Sequence, residues 1–465
     1  MEQQAAGAAH VRDRLANLVC GMRYEDMPEP VLREAKRLIV DTLGCAFGGY
    51  PGEPAKIVRR TVAELGGSPE ATIIGSGART SCALATFANG TMMRYLDNND
   101  YYHSRDPSHT SGNLAAALAV AERLHASGRD LLLAFVIAYE VQLRLCDFAG
   151  QPNLWERGWH HATNMAFASA ALAGRLLGLT PVQMANALAL AGSHNNTLCQ
   201  SQRGNIPMMK ATAEAYIARG GVEAAMLARH GLTGPEEIFE GTFGWGRCVA
   251  GEVDFERLTA PVDPDHLRIL DTCMKPYAAE MMTQAPIQAA IEVVRDNGLD
   301  TRLIRRVQVR FHEYALKKPS WDPKKNDPRD RETADHSFQY CVAVALLDGA
   351  CGPEQFTAER LASPVVRQLM AATTLVADPE FTRLWPKSSG AAVRVEMEGG
   401  AAFEAVCPYP PGHPMNRLTD AQVEAKFRRL TGILLTEAQK RSILGAVADI
   451  EACDDVGALM ALLVV

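Results

Sequence analysis

"IRRVQVRFHEYAL", residues 304–316, decides the fold. Its apolar residues Val307, Val309 and Phe311 alternate with polar ones, the period of a strand with one buried face. Almost everything before it has the other period. In "PEPVLREAKRLIVDTLG" (28–44), Val31, Ala35, Leu38, Ile39 and Leu43 recur at three and four residues and make one helical stripe. "TPVQMANALALAG" (180–192) opens with Thr180, Pro181 and Gln183, which supply an N-cap, a first-turn proline and the glutamine of a capping box, and stops at Gly192. Residues 163–177 are rich in small side chains, which predicts a tightly packed interior helix. Beyond the strand, "AAVRVEMEGGAAFEAV" (391–406) alternates at Val393, Val395 and Met397, turns at Gly399-Gly400 and returns through Phe403 and Val406, a hairpin. "KKPSWDPKKNDPRDRETADHS" (317–337) between them reads as a long polar loop. After "YPPGHP" (409–414) helices return, with capping boxes in "TDAQ" (419–422) and "TEAQ" (436–439). The fold class is mainly α with an α+β part. A helical domain is expected over 1–268, an inserted α+β domain over 269–410, and a helical segment over 411–465 that completes the first domain.

A chain of 465 residues exceeds one hydrophobic core, so about two domains are expected. With 47% hydrophobic and 22% charged residues it has the composition of a globular protein. A net charge of -7 supplies no basic face for nucleic acid or an anionic membrane. The eleven cysteines are scattered singly, without CxxC spacing. Neither an iron–sulfur cluster nor a structural zinc is indicated, and reduced thiols in a cytoplasmic protein are. The N-terminus "MEQQAAGAAHVRDR" lacks the apolar core of a signal peptide. No run approaches the ~18 apolar residues of a membrane span.

The densest chemistry lies in "YLDNNDYYHSRDPSHTSGNL" (95–114), which packs Asp97, Asp100, His103, Asp106 and His109 between two helix-like flanks. Metal ligands, an acid–base site and a solvated loop all fit such a stretch. Spacings of three resemble ligand spacing, but nothing supplies a convincing further ligand set. A histidine and an aspartate on a glycine-containing loop suit proton transfer, because imidazole titrates nearest neutral pH.

The chain resembles the MmgE/PrpD family, whose members include 2-methylcitrate dehydratases, cis-aconitate decarboxylases and iminodisuccinate epimerases. The resemblance rests on "RLIVDTLGCAFGG" (37–49), "LDNND" with "HTSGNLAAALAVAE" (96–122), "AYEVQLRL" (138–145) and "GWHHATNMAFASAALAGRLLGL" (158–179). It continues in "MKATAEAYIARGGVEAAMLARHGLTGP" (209–235), "MKPYAAE" (274–280) and "DHSFQYCVAVALLDG" (335–349). It implies a large all-helical domain with a smaller α+β lid, an active site between them, no metal or organic cofactor, and a homodimer.

It also implies roles. Asp97 and His109 match the family's aspartate and histidine, and Asp97 is expected to orient His109 and raise its pKa. His103 and Asp106 read equally as surface residues. Tyr101 stands where threonine is common and Thr110 where proline is common, which alters the pocket's shape or substrate. In "GWHHAT", His160 matches the active-site histidine, with a helix-start histidine as the alternative, and His161 is read as a packing neighbour. Lys210 matches a lysine that opens a helix. An ammonium there needs an anion beside it, which a carboxylate substrate would supply. Arg203 is a bidentate carboxylate ligand or a surface arginine. Lys275 matches the second lysine, with Tyr277 and Glu280 beside it. Glu280 falls on the dehydratase side, where decarboxylase-like sequences carry histidine, while Met282 replaces a histidine common in dehydratases. His336 joins the site or caps the next helix.

These assignments predict a metal-independent, cytoplasmic hydro-lyase acting on a small hydroxylated di- or tricarboxylate, 2-methylcitrate dehydratase-like, with no cofactor. His109, Asp97, His160, Lys210 and Lys275 are its expected catalytic groups. Tyr101, Arg203, Tyr277, Glu280 and His336 are its expected substrate contacts. Epimerisation or decarboxylation of a related polycarboxylate uses the same inventory. A catalytically inactive helical binding protein is the reading from another class, and the retained site residues speak against it.

Overall fold

The computed structural model describes residues 9–150, 153–317 and 321–465. The opening residues 1–8, and 318–320 within the polar loop, lie outside the described residues. The fold class is mainly α with an α+β part, as the two periodicities predict.

Two hydrophobic cores organise the chain. In the first, the stripe Val31, Ala35, Leu38, Ile39 and Leu43 is fully buried on the Glu29–Gly49 helix. That core also takes in Val423, Phe427, Ile443 and Val447 from the returning helices Asp420–Thr431 and Glu437–Ala448. Both of those helices start at capping boxes, as does Pro181–His194. Two close approaches fix how the helices sit. A Cβ on Gly49 would stand 2.1 Å from the carbonyl oxygen of Met92, and one on Gly90 would stand 2.9 Å from the Cβ of Ala215. Small residues thus let the Cys82–Tyr95 helix lie against both Glu29–Gly49 and Lys210–Arg229. The C-terminal end of the first of these three and the N-terminal end of the last meet at the site described below.

The second core is built on a four-stranded sheet. Ile304–Phe311 pairs in parallel with Thr373–Ala377 on one side and antiparallel with Ala391–Met397 on the other, and Ala402–Cys407 lies outermost. Val307, Val309 and Phe311 point inward, as the alternation predicts. The hairpin return is corrected in one detail. Phe403 and Val406 are three residues apart and cannot share a face, so Phe403, Ala405 and Cys407 face the core while Val406 is exposed. Helices Gln284–Asn297 and Phe338–Asp348 contribute Ile287, Val293, Val342 and Leu346 to this core. Among the described residues, no helix is long and apolar enough to cross a membrane.

The polar stretch 317–337 is not simply a solvated loop. Its described part carries two short helical turns, Pro323–Asn326 and Arg331–Ala334, and buries Lys325, Asp335 and His336. Charged residues go inside here because they face other charges rather than the apolar core.

Candidate active site

Four segments converge on a buried polar cluster. The Cys82–Tyr95 helix carries Arg94 in its last turn and delivers Asp97 immediately after its C-cap, Leu96. Asp97 has φ 51°, the left-handed region. Helices commonly end with a glycine in that conformation. Placing an aspartate there costs about 1–3 kcal/mol and turns its carboxylate back into the cluster. The Lys210–Arg229 helix contributes Lys210 and Glu214, one turn apart. Lys275 precedes the sheet part, and Asp335 and His336 end the polar stretch.

These groups form one ion network. Asp97 accepts from Arg94 at 2.7 Å and Lys275 at 2.5 Å through Oδ1, and its Oδ2 lies 2.8 Å from the Lys210 ammonium. Lys210 also reaches Asp335 at 3.0 Å, and Arg94 reaches Glu214 at 2.9 Å. Three formal cations therefore face three formal carboxylates, all at most 3% exposed. Burial alone would raise the Asp97 pKa, but Arg94, Lys210 and Lys275 outweigh it and hold the group well below the usual carboxylate range. Burial lowers Lys275, against the pull of Asp97. The anion expected beside Lys210 is thus supplied by the protein itself, as Asp97 and Asp335.

Beside the network, with Arg94 and Asp97 in its wall and Lys210 and Lys275 behind them, lies a cavity of ≈ 20 Å³, room for about one water. Arg94, Asp97, His109, His161, Glu280 and His336 line it, together with Trp155, Gln202 and Met281. A larger surface cleft of ≈ 710 Å³ lies along the Glu53–Leu65 helix and contains none of these residues.

The stretch 95–114 now divides by function. Asp97 holds the cations. Asp100 pins the loop on itself, accepting from Ser111 N (3.0 Å), Ser111 Oγ (2.6 Å) and the Tyr139 hydroxyl (2.8 Å), with burial pushing its pKa up to about 6. Asp106 is buried and accepts from Leu154 N at 3.2 Å. His103 lies edge-on between Tyr101 and Trp385, with each ring centroid 4.8 Å away. Neither His103 nor Asp106 is a surface group.

His109 faces the cavity, but Asp97 does not orient it. Its Nδ1 lies 2.6 Å from the Asp100 carbonyl oxygen. A carbonyl only accepts, so Nδ1 carries the proton and Nε2 keeps its lone pair. Burial, then Arg94 and Lys275, lower the His109 pKa well below the ordinary value, and Asp97 opposes them only weakly. The expected upward shift is therefore reversed: burial, with Arg94 and Lys275, outweighs the one aspartate.

The histidine pair is also exchanged. His160 is the N-cap of the His161–Asn164 turn, and its Nδ1 accepts from Ala162 N at 3.0 Å. An N-cap side chain folds back over its own helix start, which leaves the next residue to face the cavity. His161 does so, with Nε2 3.2 Å from Glu214 and its ring centroid 5.1 Å from that of His109. Burial, then Arg94, lower its pKa to about 3.

The remaining expected contacts separate. Glu280 lines the cavity, accepts from Met282 N at 2.8 Å, and is pushed up to about 7 by burial. His336 lines it too, with Nδ1 on Asp335 and Nε2 3.6 Å from Asp97, and burial and Lys210 lower it to about 4. Ser337, not His336, caps the following helix. Three residues are not among those lining the cavity. Tyr101 is fully buried in the second core, where its backbone exchanges two 2.8 Å hydrogen bonds with Cys273. Tyr277 donates its hydroxyl to Gln288. Arg203 is half-buried beside Cys199, and its neighbour Gln202 lines the cavity instead. Met281 lines the cavity, while the adjacent Met282 is buried outside it.

Arg94, Glu214 and Asp335 were missed in the sequence. A weak signal existed: Arg94 precedes Asp97 by one turn, Glu214 follows Lys210 by one turn, and Asp335 adjoins His336.

Two sets of three donors stand within 4.8 Å of one another among the described residues, His109–His161–Glu214 and Asp97–Asp335–His336. Every carboxylate in them already meets a guanidinium or ammonium. A divalent ion there would sit against three formal positive charges, so the sets suit protons and carboxylates better than a metal.

An enclosed acid–base cluster of this kind between a helical core and an α+β core is enzyme-like. Residues 13–258 match the MmgE/PrpD N-terminal domain and residues 277–452 the MmgE/PrpD C-terminal domain. The chain belongs to the MmgE/PrpD family. It is 28% identical to the cis-aconitate decarboxylase of Homo sapiens, over 97% of this chain and 94% of that protein. It is 28% identical to the 2-methylcitrate dehydratase of Cupriavidus necator, over 92% and 91%. The cis-aconitate decarboxylase-like protein oryM of Aspergillus oryzae is 26% identical over 98% and 97%.

Proposed function

We propose that this protein is a lyase that dehydrates a small hydroxylated di- or tricarboxylate, in the manner of a 2-methylcitrate dehydratase, without metal or cofactor. The observation that carries the reading is a neutral imidazole base, His109 Nε2, in the wall of a cavity that Arg94 and Asp97 also line, with the buried ammoniums of Lys210 and Lys275 directly behind Asp97. Dehydration breaks a C–H bond next to a carboxylate and a β C–O bond, and forms an alkene and water. His109 takes the proton. Lys210, Lys275 and Arg94 stabilise the negative charge that spreads onto the carboxylate, a role for fixed charges in a water-poor site. Residues 1–268 with 411–465 act as the body and 269–410 as the lid of a cytoplasmic homodimer.

A second reading is decarboxylation. It is supported by the human decarboxylase, which is as similar as the dehydratase and over a larger share of the chain. Loss of CO2 leaves the same kind of carbanion. A substrate screen separates the two: ultraviolet absorbance reports a new alkene, gas release reports decarboxylation, and deuterium exchange without net reaction reports epimerisation. Alkene formation that survives a strong chelator is expected. Activity lost on chelation and restored by one added metal would overturn metal independence, and no turnover of any polycarboxylate would leave the inactive binding protein.

A tricarboxylate does not fit a ≈ 20 Å³ cavity, since ligand sites occupy roughly 300–1,000 Å³. Entry requires the covering segments to part and reclose. Bound ligand is therefore expected to protect 97–112 and 270–285 from hydrogen exchange together. Protection of one segment alone would place the site within a single domain.

A further inference from the structure

The buried charges of the site cancel before any substrate arrives. Arg94, Lys210 and Lys275 balance Asp97, Glu214 and Asp335. A polycarboxylate entering such a site brings two or three negative charges into a volume with no surplus positive charge. Burying them uncompensated is costly, and the usual response of a buried site is to change a protonation state. One carboxyl group is placed to do this. Glu280 lines the cavity, is 7% exposed, and stands outside the three balanced pairs of the network. The charges that act on it most strongly, after burial itself, are Lys325 and Lys275, which favour its ionised form, and then Asp97, which opposes it. Its backbone N–H donates to the Asp335 carbonyl at 2.8 Å, which fixes it on the same wall as the network. Lys325 comes from the Pro323–Asn326 turn, is 2% exposed, and feels Glu280, Lys210, Asp322 and Asp335.

We propose that Glu280 is the group that takes up a proton when a polycarboxylate binds and then delivers it to the departing hydroxide, with Lys325 as the positioning residue that keeps Glu280 ionised until then. The inference rests on the reading of the site as a polycarboxylate lyase. The step balances: the β C–O electron pair leaves with oxygen, the Glu280 carboxyl proton converts hydroxide to water, and His109 holds the α-proton until it passes to solvent. In the empty site burial places Glu280 near 7 and Lys325 near 8. Glu280 is therefore mostly ionised at pH 8, where Lys325 still carries about half its charge, and Glu280 is mostly protonated at pH 6.

Tricarballylate, a tricarboxylate with no hydroxyl to eliminate, is the probe. Its binding heat is measured at pH 8 and pH 6 in buffers of different ionisation enthalpy, which gives the protons exchanged. Uptake approaching one proton per site is expected at pH 8 and little at pH 6. Correspondingly, affinity falls by up to about tenfold per pH unit above neutrality, by linkage. Glu280→Gln should bind tricarballylate with the uptake lost. Lys325→Met removes the charge that favours ionised Glu280, so uptake at pH 8 should fall and its onset move to higher pH, with Lys325→Arg restoring both. Binding by the native protein without proton uptake overturns the proposal and leaves the lyase reading standing. So does uptake unchanged in Glu280→Gln, which would assign the proton to a histidine. Failure of tricarballylate, citrate and malate alike to bind overturns the lyase reading itself.

Discussion

Asp97→Asn is expected to lose both stability and activity, the largest combined effect of any single change in this protein. The substitution keeps the shape of the side chain and removes one charge from the centre of the network. Arg94 retains Glu214, and Lys210 retains Asp335, but among the described residues Lys275 has no other carboxylate at salt-bridge distance. Its ammonium is 0% exposed. Breaking a buried pair by removing one partner costs about 3–5 kcal/mol, because the other charge stays buried. Turnover should fall on the order of 10²-fold or more, since a misplaced positioning group alone costs that much. The pH dependence has a definite sign. The folded pKa of Asp97 is depressed, so its contribution is complete above the unfolded value of about 3.9 and is lost as pH falls through the folded value. The variant should therefore unfold less steeply with acid below about pH 4 than the native protein. A double variant with Lys275→Met should recover part of the lost stability, because both charges are then gone. Denaturant unfolding checks this. A single variant within about 1 kcal/mol of the native protein would mean that the network is solvated and the ion pairs are weak.

The parts of this protein that were legible in its sequence are those set by periodicity and capping. The stripe on Glu29–Gly49, the capping boxes at Thr180, Thr419 and Thr436, and the inward face of Ile304–Phe311 all follow from local rules. The strand Thr373–Ala377 did not. It is an edge strand with exposed or half-exposed positions from Thr374 to Ala377, so it carries no alternation to read. In the site, motifs pointed to the right neighbourhood but not to which side chain turns inward. His160 and His161 are adjacent, and only the N-cap geometry of His160 decides between them. Tyr101 reads as a pocket residue because it lies four residues from Asp97, yet its ring fills the second core. Arg94 and Glu214 are 120 residues apart in the chain, and each alone looks like an ordinary helix charge. Buried networks of this sort are invisible to local rules because each member is explained only by the others.

His109→Ala is expected to reduce turnover by about 10²–10⁴-fold, or about 3–5 kcal/mol in the barrier, the usual contribution of a positioned acid–base group. The geometry singles out this histidine. Its proton is held on Nδ1 by the Asp100 carbonyl, which leaves Nε2 basic and turned toward the cavity. Its pKa lies well below the ordinary 6.5, so the neutral form is present across the whole neutral range. A base whose pKa is lowered in this way loses activity only when pH falls through that low value. The rate should therefore show no step near pH 6.5 from this group. The weak basicity is compensated by position, because the proton it removes becomes more acidic once Arg94, which lines the cavity, draws charge from the neighbouring carboxylate. Binding of tricarballylate by His109→Ala within a fewfold of native separates lost chemistry from lost structure. His103→Ala, whose ring packs between Tyr101 and Trp385, should lower turnover by less than about tenfold, as expected for a packing change away from the reacting atoms. If His103→Ala were the inactive variant and His109→Ala turned over normally, the base would have to be sought on the lid side of the cluster.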